Sequence, residues 1–259
     1  MFQMTVVGIG LAVGAIFLSQ LLEGSVLSTL AQPSGFLIVF FGTLGAVIAQ
    51  STPRDFLRGT QLLRWLLHPP ISGNEQYIRE IVSWSRIAHQ DGTLKLDSLA
   101  KAIEDPLLKN GVEMIVDYYD PDYIRDTLLM DVRIRDARLK RAARMWEAAG
   151  AYAPTVGILG SIIGLLHVMN SMSDVSKLGA GIAASFVATI YGLGLANLVF
   201  LPLAAKLRAI IFELTLRDEL RVDGLTMIAQ NKQPWLVERT LTAARERAVN
   251  VVSIKRNAS

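Results

Sequence analysis

Four stretches of this chain carry no Asp, Glu, Lys or Arg: Met1–Leu22, Gly24–Pro53, Ala148–Ser173 and Leu178–Ala205. Each is long enough to hold a membrane-spanning helix of ~20 residues. The chain is still only 51% hydrophobic, because its charges are gathered into two blocks between and after these stretches. The pattern predicts an all-α integral membrane protein with four transmembrane helices. A helical cytoplasmic domain is inserted between spans two and three, and a cytoplasmic helical tail follows span four. The boundaries expected are residues 1–53 for spans one and two, 54–147 for the inserted domain, 148–205 for spans three and four and 206–259 for the tail. None of the spans contains a carboxylate that could carry a proton or bind a cation. If the protein moves ions, a partner must bring the acid.

Orientation follows from the basic residues. The segment from Arg54 to Arg144 holds fifteen Lys and Arg, and the segment from Lys206 to Arg256 holds ten. The hairpin between the last two spans holds one, Lys177, and the first hairpin, around Glu23 to Gln32, holds none. Cytoplasmic loops carry the excess of Lys and Arg. Both rich segments, and therefore both termini, are expected in the cytoplasm. The same topology accounts for the net charge of +3, which in a soluble protein would hint at nucleic acid. No nucleic-acid partner is read from it.

The chain has no cysteine, which excludes a disulfide framework, a thiol nucleophile and a Cys-ligated metal. His68, His89 and His167 are far apart in sequence. There is no HExxH, GxSxG or phosphate-binding glycine loop. Nothing points to an enzyme, a metal or a cofactor. The first apolar stretch lacks a basic leader and reads as an uncleaved span.

Several local signals place elements. Pro33 and Ser34 open span two, and Pro53 closes it. A short amphipathic helix with Trp65 and Leu66 ends at His68. A short helix is expected over Asp97 to Glu104, with Pro106 just beyond. Asp120 as N-cap and Pro121 at the first helical position start a long helix free of Gly and Pro up to Gly150. Its run of Arg133, Arg135, Arg138, Lys140, Arg141 and Arg144 reads as a solvated face with a membrane-edge anchor. Small residues recur along the spans. Gly10 and Gly14 lie in the first, Gly157, Gly160 and Gly164 in the third, and Ala180, Ala184, Ala188, Gly192 and Ala196 in the fourth. Such stripes let backbones approach closely in lipid, and several of them favour an oligomer or a partner helix against spans three and four. Few polar residues interrupt these spans: Ser161 and His167 in the third, and Thr189, Tyr191 and Asn197 in the fourth. Hydroxyls can bond their own helix carbonyls; Asn197 and His167 are harder to leave facing lipid.

The run AYAPTVGILGSIIGL at residues 151–165, then GIAASFVATIYG at 181–192 and ANLVFLPLAAKL at 196–207, resembles the A subunit of the bacterial flagellar motor stator, the MotA/PomA family. LEG at 22–24 and LKNGVEMIVD at 108–117 extend the resemblance to nearly the whole chain, and the HVM at 167–169 is closest to the MotC branch. The resemblance implies a multi-pass protein of the bacterial inner membrane. Five A subunits would surround two B subunits, which supply the membrane aspartate and a peptidoglycan anchor. Ion flow would turn the A ring, and its cytoplasmic part would push on the rotor's torque ring. Pro154 and Pro202 match the family's two coupling prolines. Ser161 and Thr189 match ion-path hydroxyl positions. Ala188 stands where sodium-driven members tend to carry threonine, which implies protons, with sodium as the alternative.

The torque contact departs from the family pattern of Arg before Gly and then Leu-Glu. Here the stretch reads His89-Gln90-Asp91-Gly92-Thr93-Leu94-Lys95-Leu96-Asp97. The candidates for rotor contact are therefore His89 and Asp97, with Arg86 one turn upstream and with Lys95 and Lys101, against plain surface charge as the other reading. Two rivals to a stator stand. One is a proton-driven energiser of the outer membrane resembling ExbB or TolQ, which has three spans. The other is a non-conducting membrane scaffold.

Overall fold

The computed structural model describes residues 2–22, 31–70, 76–170 and 175–257. Every regular element among them is a helix. Glu23, Gly24, Ser28 and most of the first hairpin lie outside the described residues, as do Ile71 to Asn74 and Asp174; so do the side chains of Lys177 and Ala180.

The helices are α1 (Phe2–Leu22), α2 (Pro33–Gln50), α3 (Pro53–Gln61), α4 (Arg64–Leu67), α5 (Gln76–Asp91), α6 (Leu96–Ala100), α7 (Pro106–Val116), α8 (Pro121–Asn170), α9 (Val175–Gly194), α10 (Leu201–Ala229) and α11 (Pro234–Asn257). A 3-10 turn at Thr93–Lys95 precedes α6, and a π-helical segment at Leu195–Phe200 joins α9 to α10. Among the described residues, three stretches are long and apolar enough to cross a bilayer: Pro33–Gln50, one within Pro121–Asn170 and one within Gly181–Ala229. Helix α1 holds a shorter apolar stretch, Val7–Ser19.

The start signal read at Asp120 acts as expected. Asp120 Oδ1 accepts from the N–H groups of Asp122 (3.0 Å) and Tyr123 (3.2 Å), which satisfies two of the orphan donors at the start of α8. Thr52 caps α3 by accepting from Asp55 N–H at 3.2 Å and donating to Asp55 Oδ2 at 2.8 Å. Asp105 Oδ1 accepts from Leu107 N–H at 3.1 Å and caps α7. The helix expected over Asp97 to Glu104 is shorter; α6 ends at Ala100. Helix α8 runs 50 residues and passes through both Gly150 and Pro154.

The chain divides into two compact units, Met1–His68 with Leu139–Ala209 and Pro69–Arg138 with Ile210–Ser259. In the first, α2 buries Gly35, Val39, Thr43 and Val47, a four-residue spacing that places them on one face. Small residues allow the close approach of α8 and α9. A Cβ added at Gly192 would stand 2.4 Å from the Ala153 carbonyl oxygen, and one at Gly157 would stand 2.9 Å from that of Ala188. The stripes of spans three and four thus meet each other inside one chain. The α1 stripe differs, since nothing lies within 4 Å of a Cβ built at Gly8, Gly10 or Gly14.

The second unit is built on a core of α5, α6, α7, α10, α11 and the first turns of α8. Ile81, Leu96, Ile124, Leu128, Leu225 and Leu241 are fully buried in it. Burying a side chain of this size contributes about 1.5–3 kcal/mol. Two left-handed residues, Tyr118 (φ 57°) and Asn231 (φ 54°), end α7 and α10. In each case the next N–H reaches back into the helix, Tyr119 to the Met114 carbonyl and Lys232 to the Met227 carbonyl.

Candidate ion path, coupling prolines and rotor contact

Ser161 and Thr189 are brought together. Their hydroxyls lie 2.5 Å apart across the α8–α9 contact, and Thr189 Oγ1 donates to the Gly157 carbonyl at 3.4 Å. With that donor used, Ser161 donates to Thr189, and the Ser161 lone pairs are left to accept. The order Ser161, Thr189, Gly157 is a short hydrogen-bonded chain that ends on a backbone carbonyl. No acid stands in the charge-free stretches to feed it.

Ala188 is next to this pair in sequence and packs where helices meet. It is buried at 2% exposure, and its Cβ would be 3.1 Å from a Cβ placed on Gly160. The α2 backbone also closes on it, with a Cβ built at Gly35 lying 3.4 Å away. A threonine at 188 would add two heavy atoms to a closely packed site.

The prolines act on neighbouring helices. Pro154 sits inside α8, where it removes an N–H from the ladder and orphans the carbonyl of Gly150. Pro202 follows the π-helical segment Leu195–Phe200. Its ring clashes with the carbonyl four residues earlier, and widening the preceding turn relieves that clash. The turn before Pro154 packs on the residue before Pro202, since a Cβ on Gly150 would meet Leu201 Cδ2 at 2.6 Å. The Trp146 and Phe200 rings stack with centroids 6.2 Å apart one turn away.

The other polar residues of the spans are placed as follows. Asn197 is exposed, and its Nδ2 donates to the Leu193 carbonyl at 2.9 Å. Tyr191 Oη accepts from Gln32 N–H at 3.0 Å, and its ring stands edge-on to Phe36. His167 is exposed. Sequence reasoning passed over Thr43, whose hydroxyl is buried in α2 with no hydrogen-bond partner. A threonine in a charge-free stretch gives no signal until its face is known.

The rotor-contact candidates are all exposed. Arg86 lies 3.9 Å from Glu238. Lys101 Nζ donates to Asp97 Oδ2 at 2.8 Å, and this bond raises the lysine pKa above its ordinary value. His89 closes α5 and Lys95 closes the following 3-10 turn, past Gly92 at φ 89°. Neither has an ion partner among the described residues.

A charged knot was not foreseen. Asp218, 2% exposed, accepts from Arg135 Nη1 at 3.1 Å and from Arg217 Nε and Nη2 at 3.2 and 3.1 Å, with Arg221 Nη1 at 3.6 Å. Arg221 Nη1 also bonds Asp105 Oδ2 at 3.0 Å. Burial lowers the Arg221 pKa, and the nearby Arg217 adds to the effect, against Asp105, Asp218 and Glu80. Arg135 keeps the exposed face expected of it, with 47% of its side chain open, while its guanidinium reaches the buried Asp218.

The chain matches the MotA/TolQ/ExbB proton channel family over residues 99–220. It is 31% identical to motility protein A of Bacillus subtilis, over 93% of this chain and 90% of that one. It is 27% identical to the chemotaxis protein PomA of Vibrio alginolyticus, over 87% and 88%. Its fold is similar to that of the solved C. jejuni MotAB, with a TM-score of 0.86 at 26% identity over 94% of this chain and 96% of that one. For the flagellar MotAB stator complex of Bacillus subtilis the TM-score is 0.82 at 29% identity, over 93% and 95%. Family, sequence relatives and solved structures agree, and the chain belongs to the MotA/TolQ/ExbB family, on its motility protein A side.

Proposed function

We propose that the chain is the A subunit of a flagellar motor stator, an ion-driven complex that turns ion-motive force into rotation and passes torque to the rotor. The observation that carries this is a likeness to solved MotAB complexes over nearly the whole chain. In this reading the protein is a multi-pass component of the bacterial inner membrane. It has four spans, α1 and α2 and the apolar parts of α8 and α9–α10, with both termini in the cytoplasm. It assembles as a homo-oligomer, a pentamer, around two B subunits of the MotB, PomB or MotD kind. These supply the aspartate that its charge-free stretches lack. Pro154 and Pro202 couple ion uptake to movement, and Ser161 and Thr189 lie on the ion path. The ion is the proton, since alanine at 188 adds no oxygen ligand; sodium is the alternative. That the relatives are motility proteins and stators favours this reading over the ExbB- or TolQ-like energiser.

Co-purification tests it. The chain should bring down a partner with one span, a membrane aspartate and a peptidoglycan-binding domain. A partner with a periplasmic receptor-binding domain would move the assignment to the energiser. Swimming of the complemented deletion strain should persist without sodium; loss of swimming there would make sodium the ion. Tags at Ser28 and Ser259 should be accessible from opposite sides, and a periplasmic C-terminus would overturn the topology.

A further inference from the structure

Helix α3 is amphipathic in an unusual way. Its buried side packs on α8: a Cβ on Gly59 would be 2.7 Å from the Ala142 carbonyl oxygen, and Trp146 Nε1 donates to the Gly59 carbonyl at 3.0 Å. Phe56 joins the cluster of Val47, Met145 and Ala149. The opposite side carries Arg54, Leu57 and Arg58, all exposed, and α4 adds exposed Arg64 and Leu67. Leu57 and Leu67 show 61% and 69% of their surface. Among the described residues none of these three arginines has an ion-pair partner, although Arg125, Arg135, Arg208 and Arg221 each do. The acid of α3, Asp55, is used by the Thr52 cap.

We infer that this face is a binding site for the headgroups of anionic phospholipids. Two observations select that occupant. The first is charge: guanidinium groups without an ion-pair partner among the described residues, the one acid of α3 being held by Thr52, match phosphate, which they bind bidentately. The second is position. Helix α3 begins three residues after α2 ends, at Gln50, and α2 is a charge-free apolar helix of 18 residues. Three residues span at most about 10 Å, so α3 starts where the apolar helix stops. A surface offering apolar depth for Leu57 and Leu67 together with negative charge for the arginines is an anionic bilayer interface. The inference rests on reading α2 as a membrane span.

The full-length protein in complex with its partner subunit would be placed in nanodiscs of phosphatidylcholine with about one-third phosphatidylglycerol, the composition that supplies surface charge. Native mass spectrometry then reads the lipid retained. Wild type should retain phosphatidylglycerol in preference to phosphatidylcholine, and raised salt should weaken the preference. The variant R54Q/R58Q/R64Q should lose it by on the order of tenfold or more. R54K/R58K/R64K, which keeps the charge, should hold most of it. Equal phosphatidylglycerol retention by wild type and the glutamine variant overturns the proposal. So does equal loss in both triple variants, which would mark a folding defect, and so does an acidic protein found seated on the arginines. An alkaline carbonate wash separates the premise from the inference: wild type released from membranes by it would refute the span itself, whatever the lipid result.

Discussion

Replacing Gly192 with alanine should separate α8 from α9 and break the Ser161–Thr189 pair. A Cβ at Gly192 would stand 2.4 Å from the Ala153 carbonyl oxygen, where ordinary contact begins at 3.4 Å. The deficit is about 1.0 Å, and it falls on backbone, which no rotamer can relieve. Thr189 lies one turn away on the same helix, so a comparable displacement there carries its 2.5 Å contact with Ser161 to about 3.5 Å, beyond hydrogen-bond range. Overpacking of this kind costs about 1–3 kcal/mol. It is offset by roughly 1 kcal/mol of helix propensity gained from Gly to Ala. Gly194→Ala isolates that gain, because nothing lies within 4 Å of a Cβ there. Thermal unfolding of the purified complex should place G192A below wild type and G194A at or above it. Swimming of the complemented strain should fall with G192A alone. A G192A complex as stable and as motile as wild type would refute the claim that this approach holds the hydroxyl pair.

Pro154→Ala and Pro202→Ala each restore a helix N–H, and proline in a helix interior costs about 3 kcal/mol relative to alanine. Both variants should assemble at least as stably as wild type and yet swim more slowly; loss from the membrane instead would make the prolines structural. Asp218→Ala should destabilise the protein by about 3–5 kcal/mol, because it leaves Arg217 and Arg221 at 17% and 12% exposure without their carboxylate; a change within measurement error in thermal unfolding would show that Asp105 alone suffices. At the rotor, Lys95→Glu should reduce swimming more than Arg86→Ala or Lys101→Ala, since those two already face Glu238 and Asp97, and His89→Arg should preserve or raise it. Unchanged swimming in all four would place the torque contact elsewhere on the chain.

Much was settled by composition along the chain. The absence of charge from four stretches expresses the cost of a charge in lipid, a property of each residue by itself. It marks the apolar helices before any contact is known. Caps are similarly local: Asp120 accepts from N–H groups two and three residues away and Pro121 fixes its own φ, so the start of α8 could be read directly. Residues brought close by distant segments could not. Whether Ala188 faces an ion path or a neighbouring helix depends on how Gly35 and Gly160 approach it, and spacing does not encode that approach. The stripes of α8 and α9 announced close packing without naming the partner, which is each other. Arg135 is a surface charge, as it looked, but it covers Asp218, 83 positions away in the chain, which α10 buries beneath it. Burial of a charge is decided by what closes over it, and that is a property of the tertiary structure alone.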